Sequence, residues 1–118
     1  MTRILVIEPE VRARHVLRSI LEQAGYEVDT AGDNSDGDRA HADQPVDLVV
    51  TGDMDGLARM SFAGTRVLAV PGGVAGREHD VAERVRAIGA QHYLPKPFRR
   101  DDLLAAVRAT LTMDCHPF

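Results

Sequence analysis

Apolar residues fall along the chain in short continuous blocks, separated by longer stretches with helical spacing. Arg3 to Ile7, RILVI, is apolar after its first residue and rich in β-branched side chains, the pattern of a strand buried on both faces. Beyond it, Ala13, Val16, Leu17, Ile20, Leu21 and Ala24 recur at steps of three and one, which lines one face of a helix. Pro9 fits the first turn of that helix, where its missing N–H costs nothing, and Gly25 fits the stop just past its end. Tyr26 to Ala31, YEVDTA, alternates apolar and polar and predicts a more exposed strand. The next stretch, GDNSDGDRAHADQP, is polar with almost no apolar stripe and predicts a short or frayed helix.

Val46 to Thr51, VDLVVT, and Thr65 to Val70, TRVLAV, read as the third and fourth strands. Between them GLARMSFAG leaves room for a short helix only. Pro71 to Gly76, PGGVAG, is a loop by composition. It has neither the Lys-Ser/Thr ending of a phosphate-binding P-loop nor the glycine spacing of a dinucleotide fingerprint. Val81, Ala82, Val85 and Ile88 mark a fourth helix closed by Gly89, and QHYLP is a brief fifth strand. RRDDLLAAVRATLT is a last helix with Leu103, Leu104, Val107 and Leu111 facing inward, and Asp101 or Asp102 is placed to cap its start. Strands and helices that alternate in this way predict a doubly wound α/β fold, a parallel sheet of five strands between two layers of helices. Ligands in such folds collect outside the carboxyl ends of the strands, here Glu8, Thr51 to Asp53, Pro71, and Pro95 with Lys96.

Composition narrows the function classes. The chain has 118 residues, enough for one core, and divides into a domain over 1–113 and a polar tail over 114–118. A net charge of −4 gives no electrostatic case for nucleic acid or an anionic membrane as partner. Cys115, the single cysteine, excludes an internal disulfide framework, and its place in the tail makes it an incidental thiol. No apolar run reaches membrane-spanning length and the first residues pass straight into a strand pattern, so the expected compartment is the cytoplasm. His15, His41, His79, His92 and His116 show no metal-ligand spacing.

Several segments together resemble the receiver domain of bacterial response regulators. They are RILVIEPEVRARHVLRSILEQAGYEVDTA, PVDLVVT, MDG at Met54 to Gly56, and GAQHYLPKPF followed by RRDDLLAAV. The resemblance covers nearly the whole chain and implies a flavodoxin-like (βα)5 sandwich with strand order 2-1-3-4-5. In that family an aspartate at the end of strand three takes a phosphoryl group from a histidine kinase, within a two-component phosphorelay. Two acids after strand one help bind Mg²⁺, a strand-four hydroxyl contacts the phosphoryl oxygens, and a lysine after strand five completes the site. Neutralising phosphoryl charge with metal and lysine carries such a reaction, because a carboxylate is a weak nucleophile.

Matched residue by residue, the acceptor falls on Gly52, which has no side chain to phosphorylate. The acid pair falls on Glu8 and Pro9, the hydroxyl on Pro71, and the lysine on Lys96. The loop from Gly52 to Gly56 is shorter than the family's and lacks its customary proline. The resemblance therefore points to a degenerate receiver, or pseudo-receiver, which is not an enzyme and acts by phosphorylation-independent protein–protein contact. The other reading is an active receiver phosphorylated on Asp53 with Mg²⁺. A shift of one residue turns a strand side chain to the opposite face, which weighs against it, and Asp beside Gly is also ordinary turn chemistry. Glu8, Glu10 and Asp53 are the carboxylates available to Mg²⁺, with Glu10 expected in the first turn of the first helix. Without a phosphoryl group, Lys96 is expected to pair with Glu8 or Asp53. Tyr93 matches the family's aromatic switch residue. Arg77, Arg84, Arg86, Arg99, Arg100 and Arg108 lie where the family's helix 4–strand 5–helix 5 face meets other signalling proteins or a second copy.

Overall fold

The computed structural model describes residues 1–54, 65–72, 83, 85 and 89–113. The elements along them are β1 (Arg3–Ile7), α1 (Val11–Gln23), β2 (Glu27–Ala31), α2 (Asn34–Asp43), β3 (Leu48–Thr51), β4 (Arg66–Ala69), β5 (His92–Tyr93) and α3 (Arg100–Leu111). All strand pairs are parallel, and the sheet order is β2-β1-β3-β4-β5. The helix expected at 56–64 lies wholly outside the described residues, as does most of the helix marked by Val81, Ala82, Val85 and Ile88. So do the tail 114–118, His79, Arg77, Arg84 and Arg86. Glu83 and Val85 are described and helical.

The continuous apolar runs explain the layering. Ile4 and Val6 point to one side of the sheet and Leu5 and Ile7 to the other, and all four are fully buried. The first side packs with Leu17 and Leu21 of α1 and Leu103, Leu104, Ala106 and Val107 of α3. The second packs with Val49, Val67, Ala69, Val85 and Ala90, and takes Ala40 of α2 at its margin. Two apolar faces covered by helices make the three-layer sandwich that the alternation predicted.

The helix starts differ from expectation, whereas the Gly25 stop of α1 stands where the sequence placed it. Glu10, not Pro9, opens α1. Its backbone is extended and its carboxylate accepts from the Ala13 N–H at 2.6 Å, so Pro9 lies outside the helix, ahead of this N-cap. The other end is a Schellman turn: Tyr26 N–H donates to Leu21 C=O and Gly25 N–H to Glu22 C=O, with Gly25 at φ +97°. Neither Asp101 nor Asp102 is the N-cap of α3. Arg99 holds that position, and the Asp102 carboxylate reaches back to its N–H at 3.1 Å. Val16, expected on the buried stripe, is 53% exposed because it borders an open cleft of about 300 Å³ shared with Ala13, Leu17, Lys96, Pro97 and Phe98.

The largest departure is α2. It is a full helix of 10 residues rather than a short or frayed one. Asp33 caps it, accepting from Asp36 N–H at 2.8 Å. Gly37 faces Ile7 so closely that a Cβ there would collide with its side chain, so the missing side chain lets the helix sit directly on the sheet. Polar contacts from Asn34 complete its anchoring.

Candidate functional site

The ladder carries the chain just beyond the strand ends. Ile7 pairs with Thr51 and Thr51 with Ala69, which brings Glu8 and Gly52 side by side one step further on. Gly52 N–H donates to Ile7 C=O at 2.8 Å, Val70 N–H to Thr51 C=O at 2.8 Å, and Lys96 N–H to Pro71 C=O at 2.9 Å. Main-chain bonds thus bring Glu8, Gly52, Pro71 and Lys96 to one edge of the sheet.

Glu8 dominates that edge. It is 3% exposed, a burial that a carboxylate tolerates only with partners. The Lys96 ammonium forms an ion pair with its Oε1, and Glu10 N–H donates to its Oε2 at 3.3 Å. Its main-chain carbonyl accepts from Arg14 Nη1 at 3.1 Å. The Glu8 carboxylate also covers Gly52: a Cβ at position 52 would lie 2.5 Å from Oε1 and 2.9 Å from Cδ of Glu8. Pro71 is buried beside them and contributes its carbonyl alone, having no hydroxyl and no N–H.

Asp53 faces α2. One carboxylate oxygen accepts from Asn34 N–H at 3.0 Å, and its carbonyl accepts from Asn34 Nδ2 at 2.7 Å. Thr51 Oγ1 donates to Asn34 Oδ1 at 2.9 Å and accepts from Asp53 N–H at 3.2 Å. Asn34 and Thr51 are almost wholly buried, so this group is a satisfied internal network that ties the strand end to the helix start. Thr51 was expected only as one of the strand-end positions, and neither Asn34 nor Arg14 stood out in the sequence. The available signal was a threonine closing an otherwise apolar buried strand, which requires a nearby polar partner.

The three carboxylates considered for Mg²⁺ go separate ways. Glu8 is paired with Lys96, Glu10 caps α1, and Asp53 binds the start of α2. Among the described residues no group of three or more His, Cys, Asp or Glu side chains is arranged to hold a metal ion. These residues as placed do not fit Mg²⁺, which asks for near-octahedral oxygen ligands. Tyr93 is half-buried at the margin of the core face that holds Leu5 and Ile7.

Glu10 titrates below the usual glutamate range, held down first by the Ala13 N–H and then by the Arg12 N–H, with the Arg12 and Lys96 charges adding to these. A carboxylate whose folded pKa is depressed contributes stability above its unfolded value and loses it as pH falls through the folded one. Glu10→Gln should therefore shallow the acid limb of the stability curve below the ordinary glutamate range. Thermal melts of both proteins from pH 7 to pH 3 check this, with curves of identical shape as the contrary result.

Comparisons with known proteins bear on the family and the fold. A family model described as the response regulator receiver domain matches residues 4–108. Transcriptional regulatory protein KdpE of Mycobacterium tuberculosis is 36% identical over 118 residues, covering 94% of this chain and 51% of KdpE. Response regulator MprA of Mycobacterium avium is 36% identical over 115 residues, covering 92% of this chain and 50% of MprA. The chain thus spans about half the length of these curated relatives. The crystal structure of a response regulator receiver domain protein from Clostridium thermocellum superposes with TM-score 0.78 at 26% identity, covering 94% of each chain. Among the described residues no helix is long and apolar enough to cross a membrane.

Proposed function

The chain belongs to the response regulator receiver domain family, and within it we propose a pseudo-receiver that signals through protein–protein contact without being phosphorylated. The observation that carries this reading is position 52. At the carboxyl end of β3, level with Glu8, the chain has a glycine, and the neighbouring Asp53 is engaged with Asn34. Pro71 and Lys96 support the same reading. The first offers no hydroxyl to a phosphoryl oxygen, and the second already neutralises Glu8. The work of such a domain is recognition rather than catalysis, by other signalling proteins such as a histidine kinase or a regulator domain, in the cytoplasm. The surface proposed for it is the exposed side of α3 with Arg99, Arg100 and Arg108, which also suits a second copy of the chain.

The test is incubation with Mg²⁺ and acetyl phosphate, or with beryllofluoride, followed by intact mass and amide NMR. The expected result is no adduct of one phosphoryl group and no shift at Glu8, Asp53 or Lys96. An adduct that disappears in Asp53→Asn would instead make the chain an active receiver whose acceptor has moved by one residue.

A further inference from the structure

We propose that Glu8 is a positioning residue that acts as the built-in occupant of this pocket. Its carboxylate fills the space of a side chain at position 52 and holds Lys96 permanently, so the site is charge-balanced with no input. The proposal rests on the pseudo-receiver reading and explains how a pocket without an acceptor stays stable. A lysine facing an emptied position would be an uncompensated cation beside buried strand ends, and Glu8 supplies the missing anion from β1 instead of β3.

Two observations carry this independently. One is steric: atoms of the Glu8 carboxyl group lie 2.5, 2.9 and 3.2 Å from where a Cβ at position 52 would stand. Side-chain carbons do not approach other atoms as closely as the first two of these, so any side chain at 52 would push the Glu8 carboxylate out of this seat. The other is electrostatic: the Lys96 ammonium is already in an ion pair with Glu8 Oε1. Glycine at 52, Glu8 in its seat and Lys96 in its pair are then one arrangement rather than separate losses. Lys96, held by Glu8, also lines with Pro97 and Phe98 the cleft they share with Ala13, Val16 and Leu17 of α1.

The proposal is tested by moving the carboxylate from one strand to the other. Folding equilibria are measured by urea titration for wild type, Glu8→Gln, Glu8→Ala, Gly52→Asp and Glu8→Ala/Gly52→Asp. Lysine side-chain NMR reports whether Lys96 is paired. Gly52→Asp alone crowds two carboxylates onto one lysine and should lower the folding constant roughly tenfold or more. In the Glu8→Ala background, which clears both the space and the charge, the same substitution should raise the folding constant and restore the paired Lys96 signal, because the anion now comes from β3. Gly52→Ala tests space alone. It should cost roughly tenfold in wild type and much less beside Glu8→Ala. Additive effects in both cycles, or a Lys96 signal unchanged by Glu8→Gln, would overturn the proposal. Phosphorylation of the wild-type protein is a separate readout: an adduct there would overturn the pseudo-receiver reading itself, whatever the cycles give.

Discussion

Lys96→Met is expected to destabilise the domain by about 2 kcal/mol at neutral pH. Removing one partner of a buried ion pair costs roughly 3–5 kcal/mol because the remaining charge stays buried and uncompensated. Here the Glu8 side chain is buried but that of Lys96 is 32% exposed, so water already screens part of the attraction and the lower figure applies. The Glu10 N–H still donates to Glu8 in the variant and limits the loss further. For a domain of this length the change corresponds to a drop of roughly 8 °C in Tm. The decisive comparison is Glu8→Gln/Lys96→Met. A neutral amide in the Glu8 seat needs no cation, so the double variant should recover more than half of the loss, and an additive pair of losses would show that the ion pair carries little energy.

The same residues show how far the sequence could be read. The strands were legible because Ile4 to Ile7, Leu48 to Val50 and Val67 to Val70 are continuous apolar runs, and such runs have one stable use in an alternating α/β chain. The inner faces of α1 and α3 were legible from the spacing of Leu17, Leu21, Leu103 and Val107. Val16 was misplaced because spacing assigns a face but not whether a neighbour covers it. The full length of α2 was not legible. What holds that helix is a glycine pressed on Ile7 and polar bonds to residues some 17–19 positions away, and neither leaves a periodic signal.

At the site, the chemical identities were legible and the directions were not. Gly52 and Pro71 announce missing groups by residue type alone. Lys96 had two candidate partners in the sequence, Glu8 and Asp53. Choosing between them needs the register that sets Glu8 beside Gly52 and the Asn34 network that engages Asp53. A buried threonine and asparagine are matched across elements, by distance rather than by spacing, so the partner of Thr51 could not be named until the fold brought Asn34 within 2.9 Å.

That network sets the second large effect. Asn34→Ala should cost about 2–3 kcal/mol, since it removes two side-chain hydrogen bonds in a nearly dry setting and strands their partners. Thr51 Oγ1 then has the Asp53 carbonyl at 3.5 Å, a poor replacement, and that carbonyl loses the amide that satisfied it at 2.7 Å. The small gain in helix propensity at the first helical position does not offset this. Thr51→Val keeps the volume and removes the hydroxyl; it should cost about 1 kcal/mol alone and little more when added to Asn34→Ala, because both break the same link. Amide hydrogen exchange locates the damage. If the network ties α2 to the end of β3, protection in Asn34→Ala falls first along Asn34–Asp43 while β1 and α3 exchange only through global unfolding. A uniform loss of protection across all elements would instead mean that Asn34 supports the core as a whole rather than the tie between α2 and β3.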